Sequence, residues 1–133
     1  MAEFIFRNLL DSKGLSSRFY VSSAGVSSEE TGNDIYPPAK RMLRTKGIPF
    51  SSHSAHRITD KEFNESDLVV ALDSSNYRNL IRRFGDDRKI IMLLDRDVAD
   101  PWYTDDFLTA YEDILEGCQK LLQVVEKPEA CYT

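Results

Sequence analysis

Cysteine and histidine are scarce in this sequence, with Cys118 and Cys131 the only thiols and His53 and His56 the only imidazoles among 133 residues. The cysteines make no C-x-x-C pair and no ligand cluster with the histidines, which argues against a metal site; no cofactor is expected either. Positive charge is not in excess: 17 basic residues face 22 acidic ones, and the net charge of −5 argues against a general nucleic-acid binder. The one basic cluster, Arg78 to Arg83, reads as the exposed face of a helix. No apolar run is long enough to span a bilayer, and no charged n-region precedes an apolar h-region with a cleavage site. The expectation is a cytoplasmic chain without a membrane partner. Neither repeats nor low-complexity tracts divide it, so the length fits one domain over residues 1–127 followed by a polar tail, 128–133.

What is present alternates between helix and strand signals. "MAEFIFRNLLDSKG" pairs Ile5 with Leu9 and Phe6 with Leu10 at i, i+4 and stops at Gly14, a helix with no N-cap before Ala2. "RFYVSSAG" reads as a strand running into a loop. "PPAKRMLRTKG" opens on prolines and ends on glycine, the asymmetry of a helix. "DLVVALD" and "KIIMLLD" are continuous apolar runs of strand length, the pattern of strands buried on both faces. Between them "SSNYRNLIRRFG" is helical, and "FLTAYEDILEGCQKLLQVVEK" is a long amphipathic helix in which Cys118 reads as a small buried hydrophobe. Such alternation predicts an α/β fold with a doubly wound parallel sheet, whose ligand site lies beyond the carboxyl ends of the strands. "SSAG", "LDSSN" and "DPW" all fall there.

The stretch "DVADPWYTDDF", Asp97 to Phe107, carries the chemistry. The residue before a proline is driven to extended backbone, so Asp100 is held stiffly, and two large rings follow the proline. Thr104 or Asp105 can cap the last helix, which leaves Asp100 without a structural duty. An aspartate that donates a proton beside flat rings suits the departure of an aromatic alcohol, such as the phenol of a tyrosine phosphate. That chemistry also needs a nucleophile in a cradle of backbone N–H groups. None is found: residue 124, six after Cys118, is Val124, and too little chain follows Cys131 for a C-x5-R spacing. Asp73 at the end of "DLVVALD" raises a different possibility, a phosphoryl acceptor in a receiver-like module, but no acidic pair marks the end of a first strand.

These segments together resemble the low-molecular-weight protein-tyrosine phosphatases over nearly the whole chain. "MAEFIFRNLL" is similar to the helix after that family's phosphate loop, C-x-G-N-x-C-R-S-P, and "SSAGVSS", "LDSSNYRNL" and "DPWY" follow in family order. The resemblance implies a flavodoxin-like sheet with its first, central strand missing, together with the nucleophile loop. It implies Asp100 as general acid, Trp102 and Tyr103 as the platform for the phenyl ring, and Ser23 and His53 as braces for the phosphate loop. Read from the residues alone, Ser23 can simply satisfy a turn and His53 can be an exposed loop residue. The acidic pair Glu29 and Glu30 stands where the family often has an aromatic. The implied partner is a phosphotyrosine-containing protein, and exposed strand edges imply a homodimer. Without its nucleophile loop the literal chain is expected to be inactive. Alternatives are a catalytically silent phosphatase-like binding protein, or an arsenate reductase or arginine phosphatase built on the same scaffold.

Overall fold

A computed structural model describes residues 1–25, 34–53, 55–99 and 106–126. They fall into two compact units, one formed by residues 1–23, 36–51 and 99 onward, the other by residues 24–35 and 52–98.

The first unit is helical. α1 (Ala2–Ser12) buries Phe4, Ile5, Phe6 and Leu10, and closes at Lys13 before Gly14, whose φ of 69° is the left-handed turn that favours glycine. α2 (Pro37–Thr45) begins on the two prolines because a first-turn position has no intrahelical use for an N–H. It buries Ala39 and Leu43. The long carboxyl-terminal helix, Phe107–Glu126, places Phe107, Ala110, Ile114, Cys118 and Leu122 at three- and four-residue steps, and this buried stripe packs against α1 and α2.

The second unit is α/β. α3 (Asp60–Glu65) is a single capped segment in which the Thr59 hydroxyl accepts from the Glu62 N–H while the Glu62 carboxylate accepts from the Thr59 N–H. β1 (Val69–Ala71) and β2 (Ile90–Met92) pair in parallel, Val69 opposite Ile90 and Ala71 opposite Met92. α4 (Ser74–Phe84) is the crossover between them and packs on both strands. The Phe63, Val69, Ala71, Leu80 and Ile90 side chains form the core, and Phe63 and Phe84 stack with centroids 3.9 Å apart. The Phe107–Glu126 helix is α5 in chain order.

One expected strand does not form. In "RFYVSSAG" the segment from Phe19 is extended, with φ −134° and ψ 137° at Phe19, and exposure alternates from Phe19 to Ser23 as it does along a strand. Yet no ladder forms there among the described residues, and the only sheet contact is an isolated bridge between Gly25 and Arg57. Period-two patterning makes a segment extended; a hydrogen-bonded neighbour makes it a strand. Among the described residues the sheet therefore has two strands, β1 and β2.

Candidate active site

The carboxyl ends of β1 and β2 are built from aspartates. After Ala71 the chain passes Leu72 to Asp73, whose carboxylate accepts from the Asn76 N–H at 2.7 Å and caps α4. Asp73 is thus a helix cap, and among the described residues no three metal-ligating side chains cluster, so the geometry does not favour the receiver-like possibility. After β2 the chain returns over the same edge. The Asp97 carboxylate takes both the N–H (2.8 Å) and the hydroxyl (2.5 Å) of Ser74, and the Val98 N–H bonds the Leu72 carbonyl. The Ser74 hydroxyl, then its N–H, hold the Asp97 carboxyl below its ordinary value, slight desolvation notwithstanding.

Asp100, Trp102 and Tyr103 lie outside the described residues, as do Thr104 and Asp105. Both ends of their segment are tied to α5 within the first unit. On the entering side the Ala99 N–H donates to the Asp113 carboxylate at 3.0 Å. On the leaving side Asp106 accepts from the N–H and the hydroxyl of Thr109, at 3.0 and 2.6 Å. Asp106 is therefore the cap of α5, one residue after the expected Asp105 and two after Thr104. The D-x-x-T spacing carried that signal. Its bonds to Thr109, hydroxyl first, lower the Asp106 carboxyl despite a small desolvation effect.

Ser23, expected as a brace, does bond to the start of a helix. Its half-buried hydroxyl donates to the Glu3 carboxylate at 2.7 Å, and the other Glu3 oxygen pairs with Arg7 at 2.9 Å. Arg7 also donates to the Val21 carbonyl, so two bonds tie the extended segment to the first two turns of α1. His53 is half-buried, and its backbone N–H donates to the Asp34 carboxylate at 2.8 Å, as does the Ile35 N–H at 2.7 Å. Asp34, Asp97, Asp106 and Asp113 are residues that reading the sequence did not single out. Their partners are distant in sequence or carried by backbone, which only Asp106 advertises by spacing. His56 pairs with Glu62 at 2.8 Å. Burial acts to raise the Glu62 carboxyl, but the bonds from His56 and Thr59 outweigh it and leave it lowered.

Cys118 is buried, 2% exposed, and burial pushes its thiol up to about 12. It is a core residue, not a thiolate at neutral pH.

Residues 1–130 match the family described as low molecular weight phosphotyrosine protein phosphatase. The chain belongs to that family. Among its relatives, the low molecular weight protein-tyrosine-phosphatase YfkJ of Bacillus subtilis is 32% identical over 136 residues, covering 96% of this chain and 87% of the relative. The human low molecular weight phosphotyrosine protein phosphatase is 31% identical, covering 92% and 85%. The crystal structure of YfkJ superposes with a TM-score of 0.90 over 96% of this chain and 86% of that one, which confirms the α/β architecture of this family. Drosophila arginine phosphatase is also similar, at 28% identity and a TM-score of 0.82, over 92% of this chain and 86% of that one. The homodimer expectation gains no support from these relatives. No helix among the described residues is long and apolar enough to cross a membrane.

Proposed function

We propose that this chain carries the proton donor and the aryl platform of a phosphotyrosine hydrolase, with Asp100 as general acid and Trp102 and Tyr103 against the phenyl ring. The observation that carries the reading is the run Asp100-Pro101-Trp102-Tyr103 inside a family match that spans residues 1–130. The anchoring of Ala99 and Asp106 on α5 supports it, because a general acid has to be held within hydrogen-bond reach of the leaving oxygen. Ser23, through Glu3, and His53 take the role of braces around the phosphate.

The nucleophile is the part that the 133 residues do not supply. No cysteine stands six residues before an arginine, and Cys118 is a buried, protonated thiol. In the complete reaction a cysteine thiolate in a C-x5-R loop before α1 attacks phosphorus, an S–P bond forms and the P–O bond to the ring breaks. Asp100 gives its proton to the departing phenolic oxygen. Water then attacks the cysteinyl phosphate, Asp100 takes the water's proton, and the S–P bond breaks to release phosphate and thiolate. The phenol's pKa of about 10 is the reason a proton donor matters.

The test is to assay the 133-residue chain on an aryl phosphate, then the same chain with a strand and a C-x-G-N-x-C-R-S-P loop fused before Met1. The first is expected to stay at background and the second to turn over substrate, with no change on Cys118→Ser. Turnover by the 133 residues alone, or none after fusion in a folded protein, contradicts the reading; the latter outcome leaves a silent phosphatase-like binding protein. In the fused chain Trp102→Ala weakens recognition of the ring by roughly 0.5–1.5 kcal/mol, read as a raised KM.

The likeness to Drosophila arginine phosphatase favours a second reading, hydrolysis of phosphoarginine. Assaying phosphotyrosine and phosphoarginine peptides side by side separates the two. Two adjacent aromatic residues, Trp102 and Tyr103, favour the phenyl ester.

A further inference from the structure

The basic cluster that the sequence places on α4 is not used by the proposed chemistry. In the second unit Asp73, Ser74 and Asp97 occupy one end of α4, at the carboxyl edge of β1 and β2. The other end of the helix borders a cleft of about 410 Å³ lined by Arg57, Arg82, Arg83 and Asn79 together with Ile58, Leu80 and Phe84. That volume is within the usual range for ligand clefts, roughly 300–1,000 Å³. Among the described residues none of those lining it is acidic, and the nearby Asp60 carboxylate is paired with Arg83.

The three arginines are not equivalent. Arg83 is spent on the fold: its guanidinium donates to the Ile58 carbonyl and to the Asp60 carboxylate (3.0 Å) and lies over the Phe84 ring at 4.6 Å. Arg82 uses one Nη on Asn79 at 3.0 Å, which leaves its other N–H groups for a ligand. Arg57 has no side-chain bond among the described residues and is exposed. Compensation of the helix dipole explains cations in the last turn of α4, but it does not explain Arg57, which lies on a different segment and faces the same cleft. Two forked donors with spare N–H groups beside the half-buried Ile58 match carboxylates on either side of an apolar side chain.

We propose that the Arg57–Arg82 cleft is a docking site for an acidic peptide segment with an apolar residue between its carboxylates. It lies at the end of α4 opposite Asp73, Ser74 and Asp97. Binding there does not depend on the phosphatase reading and needs no nucleophile.

Fluorescence anisotropy of the 133-residue chain with a short labelled peptide, glutamates around a central phenylalanine, tests this directly. Saturable binding is expected, weakened about tenfold or more by the pair Arg57→Glu and Arg82→Glu and by raising salt from about 50 to about 500 mM. The pair Arg78→Glu and Arg88→Glu makes the same change in net charge outside the cleft and is expected to leave binding within about twofold of the parent. In the unaltered protein, amide shifts on titration are expected at Arg57, Ile58 and Arg82, a readout that does not require either variant to fold. Absence of saturable binding overturns the proposal. So does an equal loss in both variant pairs, a shift map centred elsewhere, or equal competition by a single-stranded oligonucleotide.

Discussion

α1 and α4 are both 11-residue helices, and they begin in opposite ways. At the start of α4, Asp73 meets one first-turn N–H and Asp97 meets another, so side chains supply what the backbone cannot. α1 starts at Met1, with no side-chain cap, and its first-turn carboxylate, Glu3, takes its bonds from Ser23 and Arg7. Its hold on the fold comes instead from Phe4, Ile5, Phe6 and Leu10, buried where α1 packs on α5. The difference separates two ways of holding a helix, one by capping carboxylates at its start and the other by burial of its apolar side chains.

If packing alone secures α1, its core contacts should carry the largest energies. Leu10 is 1% exposed, and Leu10→Ala is expected to destabilise by about 2–5 kcal/mol in denaturant melts. A loss of less than about 1 kcal/mol would mean that something other than burial holds the helix.

The capped helix should respond more modestly. Asp73→Ala removes the side-chain acceptor for Asn76 and is expected to cost about 0.5–2 kcal/mol by the same melts, while Asp73→Asn, which keeps an acceptor oxygen, should recover most of it. Equal losses in the two variants would show that Asp73 acts by charge and not as a cap.

Asp97 gives the smallest and most diagnostic effect. Its carboxyl is held below the ordinary 3.8 by Ser74. A carboxyl lowered by folding contributes stability that is fully present above its unfolded value and is lost as pH falls through its folded value. The advantage of the parent over Asp97→Asn, followed from pH 7 downward, should therefore hold until about pH 4 and shrink below it. A difference independent of pH would contradict the bonds to Ser74.

Much of this architecture was legible because the signals are local. Pro37, Pro38 and Gly47 bracket α2, the apolar runs at Val69 and Ile90 mark the parallel strands, and the spacing from Phe107 to Leu122 marks α5. α3 was missed although Thr59 and Glu62 spell a capping box, because six residues are too few for periodicity to register. The "RFYVSS" segment was misread for the opposite reason: its alternation is genuine, but a strand also requires a neighbour, which no local pattern contains. The candidate site divides in the same way. Asp100 and its rings stand out through their dipeptide chemistry, whereas the bonds of Ser23 to Glu3 and of Ala99 to Asp113 join residues far apart in sequence.

The central claim is that Asp100 protonates the leaving phenol, and the most direct measurement compares Asp100→Ala with the parent in the loop-fused chain on two substrates. On tyrosine phosphate, whose phenolate leaves poorly, the variant is expected to be slower by roughly 10² to 10⁴. On an aryl phosphate whose phenol has a pKa near neutrality the loss should be far smaller, since that group departs without a proton. Equal slowing of both substrates, or of neither, would contradict the account.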